Sequence, residues 1–495
     1  MIDLARLGGP VACTGLAVLL VATRRRDRLA GLGFAVVGAC LLGLALAPDA
    51  PGTIAVGVVV VLAVACALAA LFGRLPWLLP VLALACVPAR VNVHVGGSGS
   101  KLLLPLYVVV LGAVVLLGWQ LVRDAPRNRE LRLVAWPLAA YLVWVGLSLA
   151  WSKDLHEGAV ELLAFYVPFT ILALALARLP WSSLGARLLY AEVALMALVF
   201  AVVGFYQYET RDIFQNPKVI TGNAYAPFFR VNSVFWDPSV YGRFLVVAMV
   251  PSIVLVALTR ARLPFVLTAA AAIVVTWLGL LISYSQSSFA ALLVVVIVVA
   301  AIAWRWRALI AVVATLAVLA GIAASEPAVR RSIQHHTSSG LNSATSGRAS
   351  LVANGIRIAE AHPVVGVGVG GFKRAYADRV TRLKGRDLKK GASHNTPVTV
   401  AAETGLPGLG LFVWLVVAVF MQAFRGGDRD TLAGRVSLVA GLGVAAILCH
   451  SLFYNDFFED PTTWGLVGLL ALAAWRAPPV AEPAPAAEPK EAVPV

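Results

Sequence analysis

Long apolar blocks alternate with short polar breaks along this chain, and most blocks run ~17–25 residues, the length at which a helix crosses a ~30 Å hydrocarbon layer. Read between the breaks, they give about fifteen spans, at 9–23, 29–47, 53–73, 76–92, 102–121, 133–151, 158–176, 185–206, 238–258, 263–283, 287–304, 308–324, 407–424, 435–452 and 462–475. The pattern predicts an all-α, polytopic transmembrane helical bundle. Composition agrees: 60% of residues are apolar and 13% charged, which excludes a soluble globular chain. The first block could be the apolar stretch of a signal peptide, but it lacks a strongly basic leader and a clear cleavage site, so it is read as a span.

Cations in short connections set orientation, because retaining them in the cytoplasm is easier than translocating them. The basic breaks are Arg24 to Arg28, Arg74, Arg123 to Arg132, Arg178 to Arg187, Arg260 to Arg262, Arg305 to Arg307 and Arg425 to Arg435, on every second connection. The alternate breaks, such as Pro48 to Pro51, Ser152 to Glu157 and Phe453 to Asp460, are neutral or acidic. The expectation is an external N-terminus and an external face that carries two long connections, about Tyr208 to Asp237 and about Ser325 to Leu406. The five cysteines lie inside apolar blocks without paired spacing and read as small hydrophobes.

The longer external connection departs from the charge rule. It carries Arg330, Arg331, Arg348, Arg357, Lys373, Arg374, Arg379, Arg382, Lys384, Arg386, Lys389 and Lys390 against few acids. Such an excess suits anionic head groups or a phosphorylated substrate, while a solvated basic loop is the plain alternative. Within it, Gly366-Val367-Gly368-Val369-Gly370-Gly371 has no readable βαβ context, so tight backbone turning is favoured over phosphate cradling. His394-Asn395 then precedes Gly405-Leu406-Pro407-Gly408, an H-N-x9-G-x-x-G pattern at the edge of an apolar span.

That pattern resembles the signature of the O-antigen ligase and O-antigen polymerase superfamily. Three further segments match in order: Arg230 to Pro238 before a span, Ser283-Tyr284-Ser285-Gln286-Ser287-Ser288, and Ser346-Gly347-Arg348 followed by His362-Pro363 and the glycine run. Gln286 stands where many relatives carry arginine. The resemblance covers roughly Leu131 to Trp475 and divides the chain into N-terminal helices extra to the family core (1–122), core helices (123–324), a large extracytoplasmic loop with the site (325–406), C-terminal helices (407–476) and a Pro-, Ala- and Glu-rich cytoplasmic tail (477–495).

The resemblance implies a GT-C-like membrane glycosyltransferase of the bacterial inner membrane. It would move a glycan from a polyprenyl-diphosphate donor, such as undecaprenyl diphosphate, to a glycan or glycolipid acceptor, with no cofactor and no metal. Arginines would neutralise the diphosphate leaving group, and a neutral imidazole would take the acceptor's proton. Arg230 and Arg348 are the candidate diphosphate ligands and His394 the candidate base, with Asn395, Glu403, Arg374, Gly405 and Gly408 as candidate substrate-binding positions. Asn395 could instead orient the loop, and Glu403 could pair with an arginine. Among the acids near His450, Glu459 and Asp460 read as markers of the external end, with Asp456 open. The rival reading is a transporter or flippase of lipid-linked or anionic solutes, whose ionisable groups would lie near the bilayer midplane.

Overall fold

A computed structural model describes residues 2–46, 51–95, 98–123, 130–214, 216–225, 228–305, 348–384, 393–425 and 429–471, together with 307, 310 and 314. Most of the expected block at 308–324, the cations Arg330, Arg331, Arg386, Lys389 and Lys390, and the tail at 477–495 lie outside the described residues.

In hydrocarbon a backbone has no water to bond, so the apolar blocks must satisfy their own amides, and they do so as helices. In chain order these are α1 (Ile2–Val21), α2 (Arg25–Leu46), α3 (Pro51–Arg74), α4 (Leu78–Ala85), α5 (Leu104–Arg123), α6 (Ala135–Ser148), α7 (Leu155–Glu161) and α8 (Val167–Ala177). They continue as α9 (Ser183–Thr210), α10 (Pro217–Tyr225), α11 (Pro238–Leu258), α12 (Leu263–Ser283), α13 (Gln286–Trp304), α14 (Arg348–Ala361), α15 (Phe372–Lys384), α16 (Thr396–Arg425), α17 (Leu432–Ser451) and α18 (Pro461–Leu469). Among the described residues, 11 helical segments are long and apolar enough to span a membrane, with α7 and α8 joined into one through a π-helical turn at Leu162–Tyr166.

One expected span is corrected. The block at 76–92 forms only the eight-residue α4 and then runs into an antiparallel hairpin, β1 (Val91–Val95) against β2 (Ser98–Leu102). Eight helical residues rise only ~12 Å, well short of the hydrocarbon layer. The basic breaks are also less solvated than their sequence suggests. Arg28 and Arg178 are buried and both pair with Glu130, Arg28 through a two-pronged contact at 2.8 and 2.9 Å. That triad closes the basic end of the bundle.

At the opposite end the glycine run forms a strap threaded between helices. The strap packs on α16 where that helix breaks at Gly405 (φ 71°, ψ −174°), two residues before Pro407. A break leaves carbonyls without helical partners, and here other segments supply them. Val367 N donates to Ala402 O (2.9 Å), Gly368 N to Glu403 O (2.8 Å) and Trp144 Nε1 to Thr404 O (2.8 Å), while Leu406 N donates to Pro363 O (2.7 Å). On its other side the strap meets the α6–α7 turn, where Ser152 Oγ donates to Val369 O (2.7 Å) and Val369 N to Ser148 Oγ (3.1 Å).

The strap therefore has no room for side chains at its turning points. A Cβ on Gly368 (φ +83°) would lie 2.3 Å from Ser152 Cα, and one on Gly366 (φ +66°) would lie 2.2 Å from Glu403 O. Gly368→Ala is expected to cost ~1–3 kcal/mol from the backbone conformation alone, with the overlap adding to it. The check is the melting temperature of the purified variant in detergent, which should fall clearly below that of Gly222→Ala, a position with nothing within 4 Å of a built Cβ.

Candidate active site

His394 sits on the connection entering α16 in a left-handed conformation (φ 55°), a state that costs a non-glycine residue energy and is held by its neighbours. Ser393 Oγ accepts the Asn395 amide (3.0 Å) and contacts the Thr399 hydroxyl. Asn395 Oδ1 caps α16 by accepting Val398 N (3.0 Å), and its Nδ2 donates to Leu452 O (3.0 Å) on the turn after α17. Asn395 is thus the orienting residue, and its amide is committed to protein at both ends. The His394 ring rests edge-on to Tyr454, centroids 6.0 Å apart, and Tyr454 in turn packs on the buried His450 at 5.7 Å.

Arg348 opens α14, which packs closely on the first turns of α16; a Cβ on Gly355 would lie 2.5 Å from Val398 Cγ1. That contact fixes Arg348 relative to His394, and both line one cavity of about 340 Å³ whose other walls are apolar, Val352, Ile356, Leu452 and Phe453 among them. Arg348 makes no ion pair or hydrogen bond with any of the described residues.

Arg230 arrives from the α10–α11 connection. Its backbone is clamped by Asn223, which donates to Arg230 O (2.9 Å) and accepts from Arg230 N (3.0 Å), and its Nε donates to Ser283 O (3.2 Å). The serine segment thus helps position Arg230 through its backbone. Ser285 and Ser288 share a hydroxyl contact (2.8 Å), both buried against Gly242 of α11, whereas Gln286 is exposed. Asp237 caps α11 through Ser239 N (2.7 Å).

Electrostatics tie these groups together. Burial first, then the Arg348 charge, lower the His394 imidazole below its usual 6.5, with Asp237 opposing them. Burial also holds the Arg230 guanidinium below its ordinary value, Asp237 opposing and Arg348 adding to the shift. The lowered imidazole favours the base form of His394 at neutral pH beside Arg348, whose charge also reaches Arg230.

The remaining expected residues have other partners. Glu403 is buried and accepts Phe372 N (3.1 Å), so it ties the strap to α16 and pairs with no arginine among the described residues. Gly405 makes the helix break, and Gly408 packs against Thr404, whose Oγ1 a Cβ would meet at 1.9 Å. Arg374 is exposed on α15 and pairs with Asp378 at 3.7 Å.

Sequence reasoning missed the lock beneath the site. Arg243 of α11 is buried with Asp456 and Asp460 of the α17–α18 turn, pairing with Asp456 and reaching Asp460 at 3.0 Å. Asp460, read as a marker of the external end, is instead a buried partner that also caps α18 through Thr462 N (2.8 Å). The missed signal was a lone arginine five residues into an apolar helix, a position where charge is costly unless paired.

Residues 271–413 match the family model described as O-antigen ligase. The match runs from within α12 to Val413, past the break in α16, including Arg348, the strap and His394, and leaves Arg230 upstream. The matched segment resembles the O-antigen ligase and polymerase superfamily, the group indicated by the motifs, in a chain with 11 helical segments long and apolar enough to span a membrane among its described residues. No curated protein matches the chain.

Proposed function

We propose that the chain transfers a glycan from a polyprenyl-diphosphate donor to an acceptor hydroxyl, at the extracytoplasmic face of a bacterial inner membrane, without a metal. The acceptor oxygen attacks the anomeric carbon while the bond from that carbon to the diphosphate breaks. The hydroxyl proton passes to the His394 imidazole and the electron pair leaves on the diphosphate. Arg348 and Arg230 bind the leaving phosphates, whose charge grows as the bond opens. The alternation of basic and neutral ends supports an outward-facing His394 end.

One observation supports this reading: His394, its imidazole lowered towards the base form, and Arg348 line one cavity whose remaining walls are apolar, and the Arg348 charge also reaches Arg230. A lipid-linked diphosphate has the matching halves, a polyanion and a hydrocarbon chain.

The test is incubation of the purified protein with a polyprenyl-diphosphate glycan and candidate acceptors, followed by mass spectrometry. A new glycosidic bond is expected; movement of the glycolipid across vesicles with no bond formed would identify a transporter. Arg348→Lys keeps the charge and loses the two-pronged fork, and is expected to raise KM for the donor ~10-fold.

A further inference from the structure

The bundle holds a second cavity, of about 330 Å³, that shares no lining residue with the His394 cavity. It lies among α4, α8, α9, α11, α17 and α18, where the eight residues of α4 and the nine of α18 are too short to fill the wall. Val193, Val247 and Gly465 are typical of its lining, which is apolar over nearly its whole length. Its charged residues are at the basic end of the bundle, Arg187 near the start of α9 and Arg435 near the start of α17.

Among the described residues these two arginines have no anionic partner. Arg187 reaches Ser183 Oγ at 3.4 Å and Arg435 donates to Asp430 O at 2.9 Å, and neither has a carboxylate within ion-pair distance among the described residues. Two guanidinium forks without an acid among the described residues, at the mouth of an apolar cavity, suit a ligand with one anionic head and a hydrocarbon tail. Water does not suit the interior, which offers it almost no hydrogen-bond partners. A zwitterionic head would bring a third cation to the arginines. The donor's diphosphate belongs at the opposite end of the bundle.

We infer that this cavity is a binding site for an anionic glycerophospholipid, with an acyl chain between α9, α11 and α18 and the phosphate on Arg187 and Arg435. The site is independent of the glycosyl-transfer reading, and its readout is lipid retention, which does not require an active enzyme.

The experiment is native mass spectrometry of delipidated protein titrated with phosphatidylglycerol, phosphatidylcholine of the same acyl chains, or polyprenyl phosphate. Phosphatidylglycerol is expected to be retained at least ~10-fold better than phosphatidylcholine, and Arg187→Gln with Arg435→Gln should erase that preference. Gly465→Phe should block the cavity itself, since a Cβ there meets nothing nearer than Leu176 Cδ1 at 4.0 Å, and retention of both phospholipids should fall while the melting temperature measured without lipid holds. Equal retention of the two phospholipids by the native chain, unchanged retention in Gly465→Phe, or preference for polyprenyl phosphate would each overturn the assignment.

Discussion

His394→Ala is expected to lower glycan transfer by ~10²–10⁴-fold, the usual contribution of a positioned general base, with expression, membrane insertion and donor affinity close to those of the native chain. The separation follows from geometry. The imidazole contributes a ring contact to Tyr454, while the local backbone is held by Ser393, Asn395 and Thr399, none of which is altered. A well-inserted His394→Ala protein with normal transfer would remove the base from the mechanism.

The pH profile gives the same assignment a second test. In the proposed mechanism the neutral imidazole is the active form, and burial together with Arg348 lowers its pKa below 6.5, so transfer should hold as pH falls through 6.5 and decline only at lower pH. Removing a nearby positive charge makes protonation easier. Arg348→Gln should therefore shift the acid limb of kcat/KM towards higher pH, in addition to weakening donor binding. An acid limb that stays in place would mean that the titrating group is not His394.

The membrane helices were legible because the layer imposes one period and one length, and blocks such as 238–258 and 263–283 coincide with α11 and α12 to the residue. The block at 76–92 failed for the same physical reason. Apolarity marks what a segment can border, and only packing decides whether it remains helical, so α4 and the turn into β1 read alike. Of the candidate site, His394, Arg230 and Arg348 could be named because they stand in the segments that resemble the superfamily's motifs. The partners that position them could not, since a clamp such as Asn223 on Arg230, or Ser283 O on its Nε, joins residues through folding and has no sequence period. Glu403 shows the converse. A buried acid beside a conspicuous motif looks like chemistry, yet its carboxylate closes the joint between strap and helix.

Arg243→Met should cause the largest loss of stability of any single change at this end of the bundle. It would leave Asp456 and Asp460 buried without their cation, and breaking a buried pair from one side typically costs ~3–5 kcal/mol. The loss should also reach the chemistry. The turn from Leu452 to Asp460 is locked to α11 by this triad, and it supplies the carbonyl that holds Asn395 and the ring that backs His394. Transfer should therefore fall mainly through kcat, with KM for the donor less affected, because Arg230 and Arg348 are held by other contacts. Combining Arg243→Met with Asp456→Asn and Asp460→Asn removes the unpaired charges, and should recover most of the melting temperature but only part of kcat, since amides restore neutrality without the fork that fixes the turn. Native-like stability of the single Arg243→Met variant would show that the turn is held by its packing alone, and full kcat in the triple variant would show that the triad's geometry does not reach His394.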